Sequence, residues 1–417
     1  MKTDALEKVA ELAGPSEGGR RGAGLLFTAF EPSGDDHAAA VIGELRRRYR
    51  DVPMYAWGGP KMRKAGAEII VETGGDAVMG VPGLGKILEH RRINRDIARW
   101  MDRNGDVGVH VPVDSPAANF PVCALAKKRG MKVVHLVAPQ MWAWGSWRVG
   151  KLRRLSDLVL CVLPFEERFF RDRGVAARFI GHPLFDEPLD LGAMDERAGD
   201  LAQGEPRVAM LPGSRPSEIR RNFPLMLQVF RSLRARHPGM SGVVAATTEG
   251  VRGSLYAKAN ALGGWPEGLD VVVGETDLAV RWCDAAIVTS GTVTLQVAKQ
   301  AKPMVIVYKV NKLQYRLFGH LIRAPYLSLP NLVAGREIVP ELMPYFGGPE
   351  RLLRAAESLV DDATDRESMR LALRAVSEKF DGKRAAAGAA DAIAEIAGLG
   401  EVGGGVVPST DRVERVG

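Results

Sequence analysis

The chain has 417 residues, 46% of them apolar and 26% charged, with a net charge of +7 and a pI near 9.3. This is an ordinary globular composition, which excludes a low-complexity chain, and no apolar run reaches the roughly 18 residues of a membrane span. The positive balance points to anionic partners: nucleotide, phosphorylated substrate, membrane surface or nucleic acid.

Residues 1–22 are charged and carry no apolar core of signal-peptide length, so they read as a flexible N-terminus of a cytoplasmic protein with at most peripheral membrane contact. The run GLLFTAF from 24 predicts a first strand that ends in FEPSGDDHAAA. Glu31, Ser33, Gly34, Asp35, Asp36 and His37 therefore stand at a strand-to-helix loop, where helix capping accounts for some of them. In GKILEHRRINRDIARWM from 85, Ile93, Ile97, Trp100 and Met101 fall at helical spacing beside Arg91, Arg92, Arg95 and Arg99. That pattern suits an interfacial helix and a helix packed on a sheet equally.

The run DVGVHVPV from 106 leads into Asp114 of VDSPAANFP. A carboxylate at a strand end is where a general base would take a proton from an attacking hydroxyl; the alternative is a cap or Asx-turn before the next helix. Strand runs KVVHLVAP from 132 and DLVLCVLP from 157 flank APQMWAWGSWRVGKLRRL, where Trp142, Trp144 and Trp147 precede Arg148, Lys151, Arg153 and Arg154. Indole has an apolar body and a polar N–H, so this is either core packing or an amphipathic binding lip.

Runs apolar on both faces alternating with amphipathic helices predict a parallel sheet covered on both sides. The pattern pauses in the polar, turn-rich 188–205, read as a linker between an N-terminal domain at 23–187 and a C-terminal domain at 206–397. It resumes in RVAMLPGS, SGVVAATT, LDVVVG, DAAIVTSG and PMVIVYKV; 350–397 reads as helical and 398–417 as a disordered tail. Two doubly wound domains in tandem would face a central cleft, with ligands at the carboxyl ends of the strands.

Two loops of the second half carry the chemistry. Gly213, Ser214 and Arg215 follow a strand and open a helix, and Ser290, Gly291, Thr292 and Thr294 repeat the arrangement. Backbone N–H groups of such turns bind anions, and they are also common caps. No GxxxxGK[ST] and no GxGxxG follows a strand, which removes the main support for kinase, ATPase and dehydrogenase readings and leaves a phosphate-bearing ligand such as a nucleotide-sugar. Cys123, Cys161 and Cys283 read as buried thiols, neither a disulfide frame nor a metal site.

EPSGD at 31, GGPKMRKAG at 58, VMGVPGL at 78, VDSPxxN at 113, PQMWAWGSWRVGKL at 139, LPFE at 163, GHPL at 181, LPGSRPSEI at 211, SGTVTLQ at 290 and SLPNLVAGREIVPEL at 328 resemble, in order, the segments of lipid-A-disaccharide synthases. The resemblance implies an α/β GT-B fold, two Rossmann-like domains facing a cleft. It also implies transfer, with inversion, of 2,3-diacylglucosamine from its UDP conjugate to the 6-hydroxyl of 2,3-diacylglucosamine 1-phosphate.

By this carry-over Asp114 is the base, and Gly213, Ser214, Arg215, Ser290, Gly291, Thr292, Gln296 and Asn331 surround UDP. Glu31, Ser33, Gly34, Asp35, Asn119, Trp142, Trp144 and Arg148 meet the acceptor and its acyl chains. No metal and no cofactor is implied if Arg215 and a helix dipole offset the charge of the leaving diphosphate. The implied partners are the two lipid substrates, the inner-membrane surface and a second copy of the chain, without nucleic acid. The chain departs from the family pattern at Phe30, where Gly is usual, at Ala117, where a second acid is usual, and at Gln296, where Glu is usual. These departures keep open a family member that binds without turnover; a UDP-N-acetylglucosamine 2-epimerase is a further alternative, against which the WAW segment argues.

Overall fold

The structure, a computed structural model, describes residues 22–73, 84–310, 315–316 and 324–400; of residues 84–90 it describes the backbone alone. The expected flexible N-terminus, apart from residue 22, and the tail beyond residue 400 lie outside the described residues, as does the VMGVPGL segment.

The first sheet is built from β1 (Gly24–Thr28), β2 (Met54–Gly58), β3 (Glu68–Glu72), β4 (Val107–Pro112), β5 (Lys132–Leu136), β6 (Leu158–Cys161) and β7 (Ala177–Phe179) in the order β3-β2-β1-β4-β5-β6-β7. The second contains β8 (Arg207–Leu211), β9 (Ser241–Ala246), β10 (Leu269–Val273), β11 (Ala285–Thr289), β12 (Met304–Lys309) and β13 (Glu341–Tyr345) in the order β10-β9-β8-β11-β12-β13. Pairing is parallel in both. Helices cover both faces, so central strands bury every residue; β1, β6 and β11 are buried throughout.

Strand order reverses between β1 and β4 in the first sheet and between β8 and β11 in the second. In open α/β sheets the loops leaving such a switch point splay apart and leave a crevice at the carboxyl ends. The loops at 29–31 and 113–115 leave the first switch point, and those at 212–215 and 290–292 leave the second. All four had been singled out in the sequence for their chemistry.

Two compact units result, one within residues 1–139, 151–160 and 386–417, the other within 140–150 and 161–385. The grouping differs from a single boundary at 188–205, and side-chain contacts give the reason. Trp142 is tied to Glu166, and Phe185 stacks on Phe380 at 4.3 Å, which binds residues 140–150 and 161–187 into the second unit. Arg48 pairs with Asp391, which holds the Ala385–Ala397 helix, from residue 386 on, to the first.

The polar stretch read as a linker contains a helix, Leu191–Ala198, capped by Asp190 accepting the Ala193 N–H at 3.0 Å. It is fastened to the Thr276–Trp282 helix by a bidentate Arg281–Asp195 pair, both bonds 2.6 Å. The Leu84–Arg103 helix resolves its two readings, since Ile97, Trp100 and Met101 are buried in a core cluster with Trp57 and Trp100 lies edge-on to Tyr55 and Trp57. Its apolar stripe is core packing, which overturns the interfacial reading. The three cysteines are buried and form no disulfide among the described residues; loss of hydration pushes the Cys123 thiol up to about 12 and Cys283 to about 11.

Candidate active site

Asp114 stands just past the carboxyl end of β4. Its N–H donates to the Leu136 carbonyl at 2.9 Å, and the preceding Val113 N–H to the Thr28 carbonyl at 3.0 Å, so the turn is stitched to strands on both sides. Asp114 and Ser115 both have left-handed backbones, φ 45° and 37°. Such conformations cost non-glycine residues about 1–3 kcal/mol each and persist where surrounding contacts enforce them.

Burial raises the Asp114 carboxyl above its ordinary range; Glu31 raises it further, while the Ser115 N–H and His37 pull it back. His37 is held below its ordinary value, mainly by burial, against the pull of Asp114 and Asp36. Glu31 is fixed beside this pair by the Ser115 hydroxyl, which donates to its carboxylate at 2.7 Å. A Cβ on Gly34 would sit 3.1 Å from the Ala29 Cβ, so a side chain there would require Ala29 to give by a few tenths of an ångström. Ser33 is exposed beside it.

Two residues expected at the acceptor have other duties. Asp35 is buried, and its carboxylate accepts the N–H groups of Gly59, Lys61 and Met62 at 3.0–3.1 Å, capping the Pro60–Lys64 helix from a distance. Asn119 is fully buried, with its amide spent on Thr28, Val113 and Asp114. Neither has a free polar atom for a ligand.

The tryptophan segment divides in the same way. Trp142 donates its indole N–H to Glu166 at 2.9 Å and packs edge-on against Phe165, so it anchors the segment while its ring stays half-buried. Glu166 is buried and also accepts the Val162 and Leu163 N–H groups, which is why LPFE accompanies the tryptophans. Trp144 and Trp147 are 49% and 62% exposed, and the Arg148 guanidinium lies 4.3 Å over the Trp144 ring. These are the residues left to meet an amphipathic molecule.

At the second switch point, Gly213, Ser214, Arg215, Ser290, Gly291, Thr292 and Gln296 line one pocket of about 280 Å³. Thr247, Thr276 and Thr289 join them, and the same strand-end rule applied to β9, β10 and β11 would have found all three. The side chains of Ser290, Thr292 and Gln296 and the N–H groups of Gly291 and Thr292 make no hydrogen bond to the protein among the described residues. They are donors and acceptors with capacity to spare.

The Gly213–Arg215 turn behaves differently from the expected anion cradle. Glu218 accepts the Ser214 and Arg215 N–H groups at 3.2 and 3.3 Å and pairs with the Arg215 guanidinium at 2.9 Å, in a capping box at the start of the Pro216–Arg236 helix. The capping alternative therefore holds for this loop. Gly213, at φ 99°, approaches so closely that a Cβ would lie 2.6 Å from a Glu218 oxygen.

Asn331 is outside the pocket. It is fully buried, donates to the Val339 carbonyl and the Glu341 carboxylate, and accepts the Ile338 and Val339 N–H groups. Asn331 is thus the central hydrogen-bonding residue of the PNLVAGREIVPEL segment.

Two parallel, doubly wound sheets, each with its loops gathered at a switch point, make the GT-B fold. The fold is shared with S. aureus MnaA in its UDP co-structure, at a TM-score of 0.56 and 11% identity over 89% of this chain and 94% of that one. It is shared also with the calicheamicin glycosyltransferase CalG4, at 0.57 and 16% over 91% and 99%. Identities this low show the fold alone.

Sequence comparison gives the family. The family model described as Lipid-A-disaccharide synthetase matches residues 25–392. Lipid-A-disaccharide synthases of Anaeromyxobacter sp. (strain K) and Myxococcus xanthus are 38% and 34% identical to this chain, covering 84% and 91% of it and 92% and 98% of their own lengths. The synthase of Pseudomonas aeruginosa (strain UCBPP-PA14) is 35% identical over 82% of this chain and 90% of its own. The chain belongs to the lipid-A-disaccharide synthase family of hexosyltransferases, and the 2-epimerase alternative falls away.

Proposed function

We propose that the chain joins two acylated glucosamines: the 6-hydroxyl of 2,3-diacylglucosamine 1-phosphate attacks the anomeric carbon of UDP-2,3-diacylglucosamine from the face opposite the diphosphate. The new C–O bond forms with inversion, the bond to the diphosphate breaks, and the hydroxyl proton passes to Asp114. The products are a β-1,6-linked disaccharide 1-phosphate and UDP.

The observation that carries the reading is the convergence of seven motif residues, from two loops about eighty positions apart, on one pocket at the β8/β11 switch point. UDP suits its mixture of hydroxyls, free N–H groups and Arg215. The raised carboxyl of Asp114 suits a base, because proton transfer is most efficient when the acceptor's pKa approaches the working pH. The exposed Trp144 and Trp147 beside Arg148 suit acyl chains and anionic headgroups together, and so a peripheral position on the inner membrane.

The test is release of UDP from UDP-2,3-diacylglucosamine with and without 2,3-diacylglucosamine 1-phosphate, in the natural chain and in Asp114→Asn. Acceptor-dependent release that falls at least ~100-fold in the variant, with UDP affinity unchanged, supports both substrate and base. UDP binding without any release refutes the transfer and leaves the reading of a non-catalytic family member.

A further inference from the structure

Beneath the Asp114 turn runs a chain of buried polar groups that touches no exposed surface. Thr28, at the end of β1, and Asn119, in the Pro116–Lys128 helix, are fully buried, as is His110 on β4. The Asn119 amide donates to the carbonyls of Val113 and Asp114 at 3.0 and 2.9 Å, the two peptide groups on either side of the left-handed Asp114. With both amide hydrogens so engaged, its oxygen is an acceptor, and it takes the Thr28 hydroxyl proton at 2.7 Å. That leaves Thr28 Oγ1 to accept from His110 Nε2 at 2.9 Å. The direction of every bond is thereby fixed, and His110 carries its proton on Nε2.

We infer that Thr28 and Asn119, oriented by His110, are positioning residues for catalysis: they hold the strained Asp114–Ser115 turn so that the carboxylate meets the acceptor hydroxyl in one orientation. The inference rests on the reading of Asp114 as the base. A turn with two consecutive non-glycine residues at positive φ needs an external template, and Asn119 is the only buried side chain, among the described residues, that bonds both flanking carbonyls. The two carbonyls prevent the Asn119 amide from flipping, because a flipped amide would set its oxygen against two acceptors, and the Thr28 hydroxyl then fixes the oxygen from the other side. Neither residue touches substrate, so the effect belongs in turnover and leaves substrate affinity alone.

The test compares Thr28→Val, which keeps the shape and removes the hydroxyl, with Thr28→Ser, which keeps the hydroxyl, each in the natural chain and in Asp114→Asn. Expected are a 10- to 100-fold loss of kcat in Thr28→Val with both KM values unchanged, recovery to within about threefold in Thr28→Ser, and no further loss when Thr28→Val is added to Asp114→Asn. Wild-type turnover in Thr28→Val with Asp114→Asn inactive overturns the positioning role and leaves the base standing. Equal losses in the two Thr28 variants, or losses that add to that of Asp114→Asn, make the residue a fold element only and also overturn the role. Full activity in Asp114→Asn refutes the base, and with it the inference; melting curves recorded for every variant separate unfolding from lost turnover.

Discussion

Two neutral imidazoles lie in the core of the first sheet, and they should make this unit sensitive to mild acid. His110 and His135 are fully buried, and loss of hydration brings their pKa values down from 6.5 to about 3 and about 4. In the unfolded chain each takes up a proton near 6.5, while the folded chain binds fewer. Stability is therefore complete above 6.5 and declines as pH falls from 6.5 toward 4 and 3. Between pH 7 and pH 5 the two histidines together remove about 4 kcal/mol, about 2 each. Carboxylates whose pKa is lowered in the fold, such as Glu44, act below this window. Urea unfolding at pH 7 and pH 5 reads the total, and hydrogen exchange of peptides spanning β4 and β5, corrected for intrinsic rates, places it in this sheet. In His135→Met about half of the pH dependence should vanish. Stability at pH 7 should hold or rise, because neither ring nitrogen of His135 has a hydrogen-bond partner among the described residues. A change below about 1 kcal/mol between the two pH values, or an undiminished change in His135→Met, refutes the argument.

The same structure gives expectations for four further substitutions. Gly213→Ala places a Cβ against Glu218 at positive φ, and should cost about 1–3 kcal/mol of stability while weakening UDP binding, measured by calorimetry. Asp35→Ala strips three N–H groups at the start of the Pro60–Lys64 helix of their acceptor; a loss of about 1–2 kcal/mol is expected, with KM for the acceptor unmoved. For Trp142→Phe, the buried Glu166 loses its indole donor, and thermal denaturation should show a cost of about 1–3 kcal/mol, whereas Trp147→Ala should leave stability alone and lower affinity for anionic vesicles.

Much of the architecture was legible because central parallel strands have a strong signature. Runs such as GLLFT, LVLC and AAIVT are apolar on both faces, and all three are strands buried throughout. The edge strands β3 and β13 lack that signature. EIIVE and ELMPY carry charge or proline and were not read as strands, although they flank the two sheets as β3 and β13. At the sites, sequence located the loops well and the roles less well. Asp35, Asn119 and Asn331 are small polar residues in motif positions, and nothing in their spacing distinguishes a side chain that meets a ligand from one that meets a backbone N–H. Their partners, Gly59, Thr28 and Val339, are set by packing across strands and loops, at separations that periodicity does not reach.

Glu218 changes how the nucleotide pocket should be regarded. Its carboxylate sits on two backbone N–H groups and one guanidinium, the same kinds of donor that a diphosphate seeks. The protein thus carries its own placeholder, which keeps the turn in shape between catalytic cycles and spares it the reorganisation of an unliganded anion site. The placeholder also competes. A diphosphate that drew Arg215 away from Glu218 would give up part of its affinity on entry and have it returned on departure. If this pocket takes the UDP of the proposed reaction, the residue that steadies the turn is also one that the leaving nucleotide would hand its donors back to.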